Sequence, residues 1–263
     1  MTVPSDILST AFLGPWAKSA GASARRQHVY LSLAHWYEAA KFMPHKPEMR
    51  DILLFSPSIK EARKFARLRQ NHWRPDWSVT RHTVLVAGLG LLTIQCPNLG
   101  LRTCDLQLVR DGLRDLELPD RFVDGVLERF DKWRHAPRIA TFGAAIAPES
   151  LVGTRLSKLV SPLPNWTLIT PCHRAAAWRV HDWALTHYVP VQYVGNPADR
   201  ASRHLAALIV HQTDQVVVFE QRKQKSFDHV LQLAKSLKKT ISLELYDHPA
   251  GGTGQLEGMS SAQ

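Results

Sequence analysis

Cysteine is scarce in this chain: Cys96, Cys104 and Cys172 are three among 263 residues, an odd number without metal-ligand spacing. That excludes a disulfide scaffold and a thiolate zinc cluster. Histidine is plentiful, thirteen in all, yet no H-E-x-x-H or comparable short ligand set occurs, so no bound metal is expected, and no cofactor. No apolar run approaches a membrane span, and MTVPSDILST at the N-terminus lacks the basic region and long apolar core of a signal peptide. A cytoplasmic protein without a membrane partner is expected. A complete G-x-G-x-x-G is missing too. The stretch Thr83–Leu92 (TVLVAGLGLL) has two glycines without the full spacing, and reads as a buried helix rather than a dinucleotide loop.

What the chain does have is positive charge. Its net charge of +10 accompanies 44% apolar and 21% charged residues, the balance of a folded protein with a basic surface. An enzyme for small neutral substrates has no need of such a surplus, whereas a binder of phosphate backbones or dinucleotides gains encounter rate and affinity from it. The charge is clustered at Arg25–Arg26, Arg63–Arg74, Arg129–Arg138 and Arg222–Lys239. The second cluster interleaves Arg67, Arg69, His72 and Arg74 with Trp73 and Trp77. Such a pattern either sets cations on phosphates and an indole against a base, or forms a basic helix face followed by a core tryptophan.

The texture divides the chain into an N-terminal arm (1–24), a mostly helical domain (25–135), an α/β domain (136–248) and a Gly/Ser-rich tail (249–263) expected to be disordered. After Pro137, five β-rich runs (RIATFGAA, WTLITPC, VPVQYVG, QVVVFE, TISLELY) alternate with segments of helical length at 155–159, 175–185, 200–210 and 226–237. That is the pattern of a parallel sheet covered by helices, a Rossmann-like arrangement. Ligands in such folds collect beyond the carboxyl ends of the strands, which points to Gly143, Thr170–Arg174, Gly195–Pro197 and Glu220–Ser226.

Within the helical domain the informative stretch is Tyr30–Phe42, YLSLAHWYEAAKF. Ser32 suits an N-cap, Leu33, Trp36, Ala40 and Met43 make an apolar stripe, and Pro44 stops the pattern. Glu38 and Lys41 fall three residues apart, so they stand one above the other, either as an acid/base carboxylate with an amine at a cavity wall or as an ordinary helix ion pair. His35, Trp36, Tyr37, Ala39, Lys41 and Phe42, followed by SPSIKEARKFARLR (56–69) and WRPDW (73–77), resemble the signature of the NADAR (YbiA-like) family of N-glycosidases acting on nucleotide and ADP-ribose substrates. The resemblance implies a helical domain with His35 and Lys41 as catalytic candidates and Tyr37, Trp73, Asp76 and Trp77 as substrate contacts, while Glu38, outside the matched positions, is the candidate carboxylate by its spacing from Lys41. It is degenerate at one point: where the family carries a glutamate before the histidine, this chain has Ala34.

The second half, 138–247, resembles the SLOG superfamily of Rossmann-like nucleotide-sensing domains, chiefly through VVVFEQRKQKSFDHVLQLAKSLKKTISLELY (216–246). That likeness implies a nucleotide ligand near Arg174, Lys223, Lys225 and Ser226. Where the superfamily has a glycine-rich phosphate loop, this chain reads Thr170-Pro171-Cys172-His173-Arg174, and loss of glycine removes the close backbone approach to phosphate. Cys172 at a strand end is either a thiolate nucleophile or a buried small thiol.

Three functions follow as expectations. The first is hydrolysis of an N-glycosidic bond in a nucleotide, an ADP-ribose conjugate or a modified base in DNA. The second is binding of DNA or nucleotide without turnover, as a module of a bacterial DNA-modification or phage-defence system with partner proteins. The third is hydrolysis or hydration of a substituent on a deazaguanine-type base. Arg67, Arg69, Arg74 and Lys223 are the expected nucleic-acid contacts.

Overall fold

The computed structural model describes residues 9–14, 17–18, 25–26, 28–144, 147–160, 166–171, 178–195, 202–222 and 224–247. The chain enters through short antiparallel pairings: β1 (Phe12–Leu13) with β4 (Val29–Tyr30), and β2 (Ala17–Lys18) with β3 (Arg25–Arg26). The first segment is fixed more firmly than a loose arm. Phe12 is buried against Tyr30 and Trp36, and the Gln95 amide both accepts from the Leu13 N–H and donates to its carbonyl.

Six helices follow: α1 (Leu33–Ala40), α2 (Pro47–Leu54), α3 (Ile59–Leu68), α4 (Trp77–Gln95), α5 (Leu106–Leu113) and α6 (Asp120–Arg134). The expected Ser32 cap is formed, and Ser58 and Asp105 act in the same way. Ser32 accepts from the His35 N–H, Ser58 from Glu61 and Asp105 from Gln107, each satisfying a backbone donor that the first helical turn leaves open. All eight residues of α1 are buried, because α2, α3 and α4 surround it.

Helix α4 is the spine of this half. It is buried without a break from Val84 to Leu92, as the buried-helix reading of its two glycines expects. A Cβ on Gly88 would lie 2.4 Å from Leu33 Cδ1 and 2.7 Å from Trp36 Cδ1, and one on Gly90 would lie 2.7 Å from Pro190 Cγ and 2.9 Å from Trp133 Cζ2. The glycines therefore admit close neighbours rather than a phosphate. Among the described residues α4 alone is long and apolar enough to cross a membrane, a run the sequence reading did not expect, and 56% of that stretch is buried inside the fold.

The second half is a five-stranded, wholly parallel sheet built from β5 (Arg138–Phe142), β6 (Thr167–Pro171), β7 (Val191–Val194), β8 (Gln215–Gln221) and β9 (Thr240–Tyr246). The order is β7-β6-β5-β8-β9, so the chain winds outward in one direction and then returns to the other side of β5, as in Rossmann-like folds. Helices α7 (Glu149–Val160) and α8 (Trp178–His187) cover one face; α9 (Arg203–Gln212) and α10 (Asp228–Ser236) cover the other. Alternation along each strand explains the layering. Ile139, Leu168, Val191, Val217 and Phe219 turn toward α7 and α8, while Ala140, Ile169, Val194, Val216 and Val218 turn toward α9 and α10. The five expected strands and four expected helices of this half are all present, and the fold class is α+β.

The helical half meets the sheet at its amino edge. Tyr188, between α8 and β7, belongs to the core of the helical half, with its ring edge-on to Trp36 at 6.1 Å. Its hydroxyl donates to the Ala40 carbonyl at 3.1 Å, which also accepts from the Met43 N–H at 3.2 Å, and lies 3.4 Å from the Met43 carbonyl just past the end of α1.

Candidate active site in the helical half

Successive helical turns bring Tyr37, Glu38 and Lys41 onto one side of α1. The backbone N–H of Arg74 donates to the Lys41 carbonyl at 2.6 Å, and the Trp73 indole N–H donates to the Ala66 carbonyl at 2.9 Å. These two bonds tie the 70–76 turn to the ends of α1 and α3. The result is a cavity of about 660 Å³ fenced by α1, α3, the first turns of α4 and the 116–118 segment. Five cations line it (Lys41, Arg63, Arg67, Arg74 and Arg81) against two carboxylates, Glu38 and Glu117. Arg63 pairs with Glu117 at 3.5 Å and Arg74 is held by Asp76, whereas Arg67 and Arg81 have no carboxylate partner among the described residues.

At the floor, Lys41 Nζ lies 2.6 Å from Glu38 Oε2, with side-chain exposures of 11% and 7%. The ammonium is boxed by aromatic faces: Trp73 at 4.6 Å, Tyr37 at 5.4 Å and Trp77 at 5.9 Å from the ring centres, distances at which a ring quadrupole attracts a cation. Burial holds the Lys41 pKa below its ordinary value, and Arg63 and Arg67 push the same way against the opposing pull of Glu38. An amine so placed gives up its proton more readily than a surface lysine. Burial raises the Tyr37 pKa above its ordinary value, so its hydroxyl stays protonated.

Of the residues singled out from the sequence, Tyr37, Glu38, Lys41, Arg67, Trp73, Arg74 and Trp77 therefore line one cavity. Three neighbours do not. His35 is 8% exposed, with Nδ1 2.8 Å from the Ser32 hydroxyl, and burial lowers its pKa, so it is held neutral inside the fold rather than at the cavity wall. Asp76 receives two hydrogen bonds from the Arg74 guanidinium, at 2.5 and 2.7 Å, which lower its pKa. Arg69 lies on the Phe65 ring at 4.2 Å. Arg63 and Arg81 line the cavity without having been singled out. Arg63 belongs to the basic cluster, and Arg81 follows Trp77 by four residues, one turn along the same helix side, a spacing that carried the signal.

Of the second-half candidates, Lys225 and Ser226 are exposed in the turn between β8 and α10, at the carboxyl edge of the sheet. Beside them the buried Glu220 accepts from the Phe227 N–H at 3.2 Å. Cys172, Arg174 and Lys223 lie outside the described residues. No group of three or more His, Cys, Asp or Glu that could hold a metal occurs among the described residues. Comparison of the chain with family models, curated proteins and solved structures gives no match in any of the three.

Proposed function

We propose that the chain hydrolyses an N-glycosidic bond in a nucleotide, an ADP-ribose conjugate or a modified base in DNA, and that the 660 Å³ cavity is where it does so. The observation that carries this reading is the buried Glu38–Lys41 pair on the floor of an arginine-rimmed aromatic cavity. It places a carboxylate and an acidified ammonium beside flat faces that suit a base or nicotinamide ring, with Arg67 and Arg81 free to take phosphate. The likeness of Tyr30–Trp77 to the NADAR signature points the same way.

The chemistry follows from the two charges. The C–N bond breaks with its electron pair going to the departing base, which takes a proton from the Lys41 ammonium. The Glu38 carboxylate, released from its ion pair, faces the oxocarbenium-like centre and stabilises its positive charge. Water then adds at the sugar carbon, giving a proton to Glu38, which passes it back to the Lys41 amine. One water is consumed, one C–N bond is exchanged for a C–O bond, and the enzyme returns to its starting charge state. The test supplies ADP-ribosylated guanine nucleotide or DNA and measures released base or ADP-ribose. Turnover lost in Glu38→Ala supports the reading, and turnover no greater in wild type than in that variant removes it.

A second reading, nucleotide or DNA binding without turnover, is favoured by one observation. The position of the family glutamate is the buried Ala34, and the one carboxylate nearby is already neutralised by Lys41. The same assay decides between them: retained ligand with no released base identifies a binding module. The SLOG-like sheet supports either role as a nucleotide-sensing half, with Lys225 and Ser226 on its carboxyl edge.

A further inference from the structure

A second cavity lies at the junction of the two halves, away from the pair on α1. It measures about 280 Å³ and is walled on one side by the end of α4, the 97–103 segment and the end of α6, and on the other by the starts of β5, β6 and β7. Among the described residues Arg102, Arg134 and Arg138 line it, and no carboxylate does. Arg134 is fixed by Asp131 at 2.6 Å and by donation to the Cys104 carbonyl at 2.7 Å, and Arg138 is held to Asp214 through both its backbone N–H and its guanidinium. These pairings set the two guanidinium groups in place before any ligand arrives. Arg102 is exposed and has no carboxylate partner among the described residues. Thr167 and Gln192 add a hydroxyl and an amide from the sheet edge. Trp133, 5% exposed on the same wall, has an indole N–H that makes no hydrogen bond among the described residues.

We propose that this junction cavity binds a small phosphate-bearing ligand between the two halves. Arg102 brings an unneutralised guanidinium beside two that are held in place by Asp131 and Asp214, an arrangement that favours an anion, and the planar fork of arginine matches tetrahedral oxyanions such as phosphate. The volume, about 280 Å³, falls just below the roughly 300–1,000 Å³ of sites for drug-sized ligands, so a phosphate with a short substituent fits better than a dinucleotide. Because the wall residues come from both halves, the bound anion joins them, and a ligand that binds the folded chain alone stabilises it with the logarithm of its concentration relative to Kd.

The experiment titrates the full chain with inorganic phosphate and, separately, with ribose 5-phosphate. It follows heat by calorimetry, the melting temperature, and the indole N–H resonances by NMR. The expected result is saturable binding with a raised melting temperature and a shift of one buried indole resonance. Arg102→Gln should weaken binding at least tenfold, while Arg67→Gln in the other cavity leaves it unchanged. Tighter binding of ribose 5-phosphate identifies a phosphate monoester, and equal binding identifies free phosphate; both support the site. Absence of saturable binding by either probe at low salt overturns the proposal. So does an Arg102→Gln protein that binds as wild type does, and so does an equal loss in Arg67→Gln, which would move the anion to the first cavity.

Discussion

Lys41→Met deletes an ammonium while keeping an unbranched stem, and leaves the Glu38 carboxylate buried with its partner gone. Removing one member of a fully buried ion pair costs about 3–5 kcal/mol. The side chains here are 11% and 7% exposed, and one side of the cavity is wet, so a loss of about 2–4 kcal/mol is the expected cost. Part of it, about 1–2 kcal/mol, is the cation held by three aromatic faces rather than the ion pair itself. The double variant Glu38→Gln/Lys41→Met has no orphaned charge and should recover the difference, settling about 1–2 kcal/mol below wild type with a coupling of about 2 kcal/mol. Urea denaturation of the four proteins measures all three quantities. A Lys41→Met protein within about 0.5 kcal/mol of wild type, or a double variant that loses the sum of the singles, would show that Glu38 is solvated and that the pair is an ordinary surface contact.

Three further outcomes are expected. Gly90→Ala gains about 1 kcal/mol of helix propensity, but its Cβ overlaps the rigid rings of Pro190 and Trp133 at a cost of about 1–3 kcal/mol, so thermal melting should show a net loss, larger for Gly90→Val; a Gly90→Ala protein more stable than wild type contradicts the close approach. His35 has a pKa held below 6.5 in the folded chain by burial, so the unfolded chain binds the extra proton and stability falls as pH drops from 6.5 toward the depressed value. His82 is shifted in the same direction, so His35→Gln should flatten that decline only in part, and an unchanged pH slope would place His35 in contact with water. Arg67→Ala and Lys225→Ala should each weaken DNA binding and reduce its dependence on salt while leaving melting unchanged, as read by fluorescence anisotropy; wild type that fails to bind duplex or single strand at low salt contradicts the polyanion reading.

The parts of this fold legible in the sequence are those that local chemistry decides. Ser32, Ser58 and Asp105 mark helix starts because a short side-chain oxygen satisfies an open backbone donor wherever the helix lies. The continuous apolar run within Gln215–Gln221 locates a strand buried on both faces. The cavity was half legible: spacing placed Glu38 beside Lys41 and put Trp73 and Trp77 near basic residues, but the closure depends on the bond from Arg74 to the Lys41 carbonyl, between residues 33 apart in sequence, which no local pattern announces. His35 misled for a related reason. It follows the order of the NADAR signature that this stretch resembles, yet all of α1 is buried, so an ionisable type on that helix says nothing about access to solvent. The basic clusters at 63–74 and 222–239 suggest one shared polyanion-binding surface when read from the sequence. In space the helical half meets the sheet at its amino edge, whereas Lys225 lies beyond its carboxyl edge, after β8.

Tyr188 carries a consequence for how this chain can be divided or recombined. The residue has a φ of 53°, its pKa is pushed up to about 12 by burial, Arg74 covers its ring at 4.9 Å, and its hydroxyl closes the end of α1 one residue before Lys41. A fragment ending after His135 lacks that ring and hydroxyl, and so exposes Trp36 and loses the hydroxyl's bonds to the Ala40 and Met43 carbonyls beside the cavity floor. The helical half is therefore not a cassette that can be passed intact onto another sheet domain. Any exchange that keeps the cavity must bring a tyrosine in the same left-handed turn, which makes the loop from α8 to β7 part of the inheritance of the first half although it is written in the second.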